Sequence, residues 1–242
     1  MKPNPAPRQT PAVSSTKYRA HRERQRRRIL TAAQELFNAN GIDRVTMAEI
    51  VNATGVRPST VYEYFTNKDA IVGALIEECL VQSSEYLRTR FERAEGPALA
   101  KITAIFDALG DELVSHPERV RFHAQFDAMY ARDWTAEMLL AIEERAMPHW
   151  SESFADPIRE GIKDGSLCSD LDPDLTMGSI INAALATQRR FAALGTRVEK
   201  EYGKSSLLLF REASRLILLG LRNPATQQPA THAVRSRRKV QK

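Results

Sequence analysis

The sequence predicts an all-α protein, with a three-helix unit at the N-terminus and a larger helical domain after it. Apolar residues recur at helical spacing in long segments between about residues 22 and 221, and no alternating strand pattern of useful length interrupts them. Breaks such as Gly96-Pro97 and His116-Pro117 separate these segments. The 242 residues are enough to bury a sizeable core in one large domain or two modest ones.

The first helix is predicted over roughly residues 22–39. Its apolar residues form one face: Ile29, Ala33, Leu36 and Phe37. Gly41 follows in the position where glycine often ends a helix. The preceding residues, 1 to about 18, are rich in Pro, Ser and Thr and offer little to pack, so we expect them to be disordered.

Residues 46–68 contain two short helical patterns joined at a glycine. Thr46 and Glu49 have the spacing of a capping box, which predicts the start of the second helix. Gly55 is suited to the positive φ of a sharp turn, and Pro58 fits the first position of a third helix. This arrangement predicts a helix-turn-helix, whose second helix enters the major groove of DNA.

The larger domain is predicted from further periodic segments. Helices are expected over 68–93, 98–115, 118–130 and 134–146, then from about Pro148 to the turn at Asp164-Gly165, from Asp172-Pro173 to 194, and over 204–221. The residues after Pro224 are polar and basic, and we expect them to be disordered.

Charge is distributed unevenly along the chain, although its net value is only +5. Seven cations precede the first apolar face and are opposed only by Glu23: Lys17, Arg19, Arg22, Arg24, Arg26, Arg27 and Arg28. A second basic cluster lies within 235–242. Such clusters are typical of nucleic-acid binding, although a solvated tail is the alternative.

Other classes of protein fit the sequence poorly. Two cysteines, Cys79 and Cys168, are too few for a disulfide framework and lack metal-ligand spacing. The sequence contains no membrane-spanning apolar run, secretory signal, nucleotide loop or nucleophile motif. We therefore expect a cytoplasmic protein without a metal or cofactor, and not an enzyme.

Over about residues 22–72, the sequence resembles the tetracycline-repressor (TetR) family of bacterial transcription regulators. The resemblance rests on an ordered series of residues: Ile29-Leu30, Ala33, Leu36-Phe37, Gly41, residues 46–50, Gly55-Val56, residues 59–62, Tyr64-Phe65 and Lys68. It implies a ligand-responsive regulator, expected to be a repressor, that binds a palindromic operator as a homodimer and leaves it when a small apolar or aromatic effector binds. Control by a protein partner is the alternative.

The expected domains are a tail over 1–20, a DNA-binding domain over 21–67, an effector-binding and dimerisation domain over 68–222, and a basic tail over 223–242. Arg57-Pro58 departs from the small polar residue that many relatives have there, so Arg57 is expected to meet a guanine edge or a phosphate. Lys68 resembles the lysine with which the family contacts phosphate. The full set of expected DNA-binding residues is Thr46, Arg57, Pro58, Ser59, Thr60, Tyr62, Tyr64, Lys68, Arg22 and Arg26.

Two further sets of residues are assigned by analogy with the family. The expected dimer interface comprises Gly178, Ile181, Ala184, Leu185, Phe210, Ser214, Ile217 and Leu218. The expected effector pocket comprises Phe106, Phe122, Phe126, Met129, Tyr130, Trp150, Phe154 and Gln188, with His123, Gln125 and His149 as further polar candidates. For both sets, an ordinary internal core is the alternative reading.

Overall fold

The computed structural model describes residues 13–130, 134–148 and 154–224, with side chains from residue 17 onward. Within these ranges the regular structure is helical, apart from one isolated antiparallel bridge between Leu167 and Arg222. The helices are α1 (Val13–Asn40), α2 (Met47–Thr54), α3 (Pro58–Tyr64), α4 (Lys68–Arg93), α5 (Ala98–Ser115), α6 (Pro117–Met129), α7 (Ala136–Ala146), α8 (Asp156–Lys163), α9 (Pro173–Leu194), α10 (Arg197–Tyr202) and α11 (Ser206–Leu221). The predicted fold class is confirmed.

Helices α2 and α3 form as the local sequence signals predict. The Thr46 side chain accepts from the Glu49 backbone N–H at 3.3 Å, and the Glu49 carboxylate accepts from the Thr46 backbone N–H at 2.7 Å. The Thr46 hydroxyl also donates to the Glu49 carboxylate at 2.8 Å, and the two hydrogen bonds that this carboxylate accepts from Thr46, the backbone one first, lower the pKa of Glu49. Gly55 takes a φ of 60° at the turn, and Pro58 is the first residue of α3. The capping box, the turn and the helix start are thus all confirmed.

Helix α1 begins at Val13, well before the predicted start at Arg22. Part of the N-terminal segment that was expected to be disordered is therefore helical. The first side chain of α1 that is fully buried is Ile29, so the preceding turns contribute no apolar face that a periodicity argument could detect. Arg, Gln and Ala are good helix formers, which accounts for the helix continuing toward the N-terminus.

The chain divides into two compact units. The first consists of Met1–Cys79 and Gln125–Ile142, and the second of Leu80–Ala124 and Glu143–Lys242. This division differs from the expected boundary between residues 67 and 68, because the start of α4 and a segment containing the end of α6 belong to the first unit. Both α4 and α6 therefore contribute residues to both units.

Each unit has its own buried residues. The first unit buries residues of α1 to α4, among them Ile29, Phe37, Ile50, Val61 and Ile71. In the second unit, a continuous cluster joins α5, α8, α9 and α11 and includes Phe106, Leu109, Ile158, Met177 and Phe210. The short helix α10 was not predicted. It starts at Arg197, two residues after Gly195, where the end of α9 was predicted, and its C-cap is Gly203, which has a φ of 63°.

No described helix is both long and apolar enough to cross a membrane. The described residues also contain no group of three or more His, Cys, Asp or Glu side chains that could hold a metal ion.

Candidate DNA-binding site

The N-terminal end of α3 presents polar groups on a buried scaffold. Arg57, Ser59 and Tyr62 are exposed, and Thr60 is half-buried. Arg57 makes no side-chain capping hydrogen bond, so its guanidinium is not used to hold the helix end. Val61 is fully buried on the opposite face of the helix. Donors that suit base edges and phosphates therefore lie on one side of α3.

The turn before α3 is held by Thr54, which is not among the residues expected to bind DNA. Its buried hydroxyl donates to the Val51 carbonyl at 2.8 Å and accepts from the Val56 backbone N–H at 3.1 Å. These two hydrogen bonds join the end of α2 to the segment that leads into α3. A threonine at the end of a short helix gives too weak a signal for this role to be read from the sequence.

The Lys68 side chain donates hydrogen bonds to backbone carbonyls within the first unit. Its ammonium group donates to the carbonyl oxygens of Ile42 at 3.0 Å and Val45 at 3.1 Å. Both carbonyls belong to the loop that leads into the Thr46 cap. Because an ammonium group has three N–H donors, one donor is left for a phosphate. Lys68 thus fixes the loop that presents Thr46, a role that the family resemblance does not imply.

Arg22 and Arg26 lie one helical turn apart on α1 and stack on aromatic rings. The Arg22 guanidinium carbon lies 5.5 Å from the centre of the Tyr64 ring, and that of Arg26 lies 5.9 Å from the centre of the Phe65 ring. Arg26 also forms an ion pair with Glu78 at 2.9 Å. Its charge is therefore already paired within the protein, whereas Arg22 is exposed. Of the two arginines, Arg22 remains the better candidate for a phosphate contact.

A segment distant in sequence is hydrogen-bonded to the same loop. The Gln125 side-chain oxygen accepts from the backbone N–H of Ile42 at 2.9 Å. Gln125 and Lys68 therefore satisfy the N–H and the carbonyl of one residue, Ile42. The loop before α2 is held by α6 as well as by α4.

Three of the residues expected to line an effector pocket lie in the first unit: Phe126, Met129 and Tyr130. The Phe126 and Tyr130 rings are buried and stack with their centroids 6.0 Å apart, and Trp134 meets Phe126 edge-on at 5.3 Å. A Cβ atom at Gly73 would lie 3.0 Å from Trp134 Cη2, so the absence of a side chain on α4 permits this contact. These rings pack against one another and against α4, which is consistent with the alternative of an ordinary internal core.

The Tyr130 hydroxyl is also tied to α4. Burial, followed by the charge of Asp69 and its side-chain hydrogen bond, raises the pKa of Tyr130 to about 12. Tyr130 is therefore a neutral phenol at physiological pH. Its hydrogen bond to Asp69 lies beside the Lys68 contact, at the first turn of α4.

The remaining expected pocket residues lie in the second unit, except Trp150, which, like His149, lies outside the described residues. Phe106 and Phe122 are almost fully buried, and Phe154 packs against the main cluster of this unit. The buried Gln188 amide donates to the Leu109 carbonyl at 2.7 Å, so it has a partner within the core. These side chains therefore lie in contacts typical of an ordinary internal core.

His123 is a buried polar residue of the second unit, and one of its ring nitrogens lacks a hydrogen-bond partner. Its Nε2 atom makes no hydrogen bond to any described residue. Burial first, and then the positive charges of Arg189 and Arg119, lower the pKa of His123 to about 3. The imidazole is therefore neutral at physiological pH, and its buried Nε2 atom has no hydrogen-bond partner among the described residues.

The residues expected at a dimer interface fall into two groups. Ala184, Phe210, Ser214 and Leu218 are buried in the core of their own unit, so their side chains are not available to a partner. Gly178, Ile181, Leu185 and Ile217 are partly exposed. The same two helices, α9 and α11, expose larger apolar residues: Leu175 (71%), Leu208 (53%), Leu216 (56%) and Leu219 (40%). Periodicity places a residue on a helix but does not identify which of its faces the chain's own core covers.

Comparison with known proteins agrees with this architecture. Residues 29–75 match the model of a family described as bacterial regulatory proteins, tetR family. The HTH-type transcriptional regulator UidR from Escherichia coli (strain K12) is 38% identical over 72 residues, which cover 29% of this chain and 35% of UidR. The HTH-type transcriptional repressor KstR2 from Mycolicibacterium smegmatis (strain ATCC 700084 / mc(2)155) is 25% identical over 195 residues, which cover 75% of this chain and 86% of KstR2.

Among solved structures, the fatty acid degradation regulator FadR from Bacillus halodurans has a similar fold. Its TM-score is 0.62 at 21% identity, with 82% of this chain and 97% of that chain covered. The chain matches less than half the length of some relatives. Its match covers 35% of UidR and 45% of the regulator YvdT of Bacillus subtilis (strain 168).

The helix-turn-helix geometry and the family match lead to one conclusion. Residues 29–75 form a helix-turn-helix domain of the type found in the TetR family of bacterial regulatory proteins. Members of this family are DNA-binding regulators and not enzymes.

Proposed function

We propose that this chain is a cytoplasmic transcriptional repressor that binds a palindromic operator as a homodimer and is released by a small apolar or aromatic effector. One observation carries the DNA-binding part of this proposal. The exposed Arg57, Ser59 and Tyr62 open a recognition helix whose other face is anchored by the buried Val61. Thr46, whose capping box orders the start of α2, adds a helix N-terminus that favours a phosphate.

The test of DNA binding begins with selection of bound fragments from the source genome. We expect the full chain to enrich fragments that share a palindrome, and to bind the corresponding duplex in a salt-dependent manner. Failure to enrich any sequence, together with equal affinity for unrelated duplexes, would contradict an operator-binding function. The genes beside the enriched fragments would then narrow the class of effector.

The exposed leucines of α9 and α11 support a homodimer. An apolar face of this kind is typical of helices that pair into a four-helix bundle. Two-fold symmetry would place the recognition helices about 34–36 Å apart, which suits successive major grooves on one face of the duplex. Leu216→Glu combined with Leu219→Glu should yield a monomer in analytical ultracentrifugation. Val114→Glu, on an equally exposed residue of α5 (57%), is the matched control and should leave the dimer intact.

Release by an apolar effector is supported by the second unit. His123 offers a buried Nε2 atom that makes no hydrogen bond to a described residue, and an effector with one polar group would suit it. KstR2 from Mycobacterium tuberculosis is described as a ketosteroid transcriptional regulator, so steroids belong in the first panel of compounds, together with aromatic acids and fatty acids. An effector must bind the form unable to hold DNA more tightly than the competent form.

Control by a protein partner is the second candidate. One experiment distinguishes control by an effector from control by a protein partner. In it, the parent and the His123→Leu variant are titrated with the compound panel and with operator duplex. A compound that binds the parent and lowers operator affinity supports the effector. If no compound in the panel binds and the operator complex dissociates only on addition of cell extract protein, the partner hypothesis is favoured.

A further inference from the structure

A groove of about 520 Å³ lies within the first unit, between the N-terminal part of α1 and the recognition helix α3. We infer that this groove holds the phosphate backbone of one DNA strand, with Tyr18, His21 and Arg22 as its outer wall. The inference rests on the proposed DNA-binding function. It extends that function by adding to the DNA-binding surface two residues, Tyr18 and His21, that neither the helix-turn-helix nor the family match assigns.

The groove has the donor groups that a phosphate requires. Tyr18, His21 and Arg22 line one side. Arg57, Thr60 and Tyr64 of the recognition helix and its leading turn line the other side. Two guanidinium groups, three hydroxyl groups and an imidazole therefore face one opening, and all of these groups can donate to phosphate oxygens.

The position of the groove favours DNA over a separate ligand. Arg57, Thr60 and Tyr64 belong to the helix that the proposed function places in the major groove, so the outer wall lies beside the strand that flanks it. Glu63 also lines the groove, and its single carboxylate leaves the two arginines in excess. Positive charge on both sides suits a polyanion that passes through the groove.

The part of α1 that forms the outer wall is exposed and positively charged. Residues 17–24 are all helical and all exposed, so this part of α1 buries no apolar face of its own. Residues 13–28 extend over about 24 Å at 1.5 Å per residue. Like charges spaced one turn apart destabilise a helix, and an adjacent phosphate chain removes that repulsion. The helix and the DNA backbone thus stabilise each other.

Three contacts hold α1 beside the end of α3 and beside α4. Arg22 stacks on Tyr64, and Arg26 is held by Phe65 and by its ion pair with Glu78. Gln25 lies on the groove, and its buried side-chain oxygen has no hydrogen-bond partner among the described residues. Rotation of the amide would bring its N–H₂ group to the place of that oxygen, where it could donate to an occupant.

The experiment compares residues on opposite faces of the same helix. Arg22→Ala and Arg27→Ala remove the same charge from exposed positions of α1, but only Arg22 lines the groove. On the duplex obtained by genomic selection, Arg22→Ala should weaken binding about tenfold, as expected for one hydrogen bond to a charged group. It should also lower the slope of log affinity against log salt by about 1, whereas Arg27→Ala should change affinity less than about threefold.

Because Arg22 also contacts Tyr64, the double variant Tyr18→Ala, His21→Ala tests the wall without altering that contact. Ethylation of single phosphates in the duplex should interfere with binding of the parent at phosphates flanking the palindrome, and this interference should be lost in the double variant. Equal affinities of Arg22→Ala and Arg27→Ala, or an unchanged interference pattern in the double variant, would overturn the inference while leaving operator binding intact. If the parent binds no duplex, the proposed function fails, and the inference fails with it.

Discussion

The side-chain oxygen of Gln125 accepts a hydrogen bond from the backbone N–H of Ile42 across 83 residues of sequence. Ile42 lies in the loop that precedes the Thr46 cap, and Lys68 holds the carbonyl of the same residue. The segment that positions α2 is therefore fixed from two sides. One side is the start of α4 and the other is α6.

Replacement of Gln125 should loosen this loop. Gln125→Leu leaves the partly buried N–H of Ile42 without an acceptor, which costs about 1–3 kcal/mol. We expect faster amide hydrogen exchange at Ile42 and weaker operator binding. Gln125→Glu keeps an acceptor oxygen at neutral pH and should restore most of both properties. Unchanged exchange at Ile42 in Gln125→Leu would show that the hydrogen bond does not hold the loop.

Replacement of Lys68 should affect stability as well as DNA binding. Lys68→Met keeps the aliphatic stem but leaves the carbonyls of Ile42 and Val45 without this donor, so we expect a loss of about 1–3 kcal/mol in the free energy of unfolding. Urea unfolding measures this loss, and Lys200→Met, at an exposed lysine of α10, serves as the control. A normal unfolding midpoint combined with weak DNA binding would assign Lys68 to phosphate contact alone.

His123 should make the protein sensitive to acid. Its pKa is about 3 in the folded protein, against 6.5 for an ordinary histidine, so the unfolded chain binds the proton more readily. The stabilising contribution of neutral His123 is complete above about pH 6.5 and is lost progressively as the pH falls toward 3.

His123→Leu should therefore flatten the decline in unfolding free energy between pH 6.5 and 4.5. His116→Leu is the matched control, because His116 is exposed near the start of the same helix, and this variant should follow the parent. Urea unfolding over this pH range measures both variants. Parallel pH curves for all three proteins would contradict the role assigned to His123.

Local sequence signals were enough to predict the helix-turn-helix. Thr46, Gly55 and Pro58 act through groups only a few residues away, so their effect is visible in a short stretch of sequence. The long-range hydrogen bonds that support this motif could not be predicted from local sequence signals. Gln125 and Ile42 are 83 residues apart in sequence, and Lys68 and Ile42 are 26 apart. Neither hydrogen bond produces a periodic pattern in the sequence.

The aromatic residues of α6 show a second limit. Phe126 and Tyr130 have the composition expected of a ligand pocket, but an apolar ring packs equally well on a ligand and on a neighbouring helix. Only the three-dimensional structure shows that their neighbours are Trp134 and α4. For Phe210 and Leu218, likewise, the sequence identified the helix, whereas the choice between core and interface depends on where the rest of the chain lies.

The most direct test of the central claim is the base preference of the Arg57→Ala variant. Affinities of the parent and the variant are measured on the selected operator and on duplexes that carry every single-base change within one half-site. If Arg57 reads a base edge, the variant should lose about 1–3 kcal/mol of binding free energy and should relax its preference at one base pair, with the other positions unchanged. A variant with the parent's affinity and the parent's preference at every position would contradict the assignment of α3 as the helix that reads DNA.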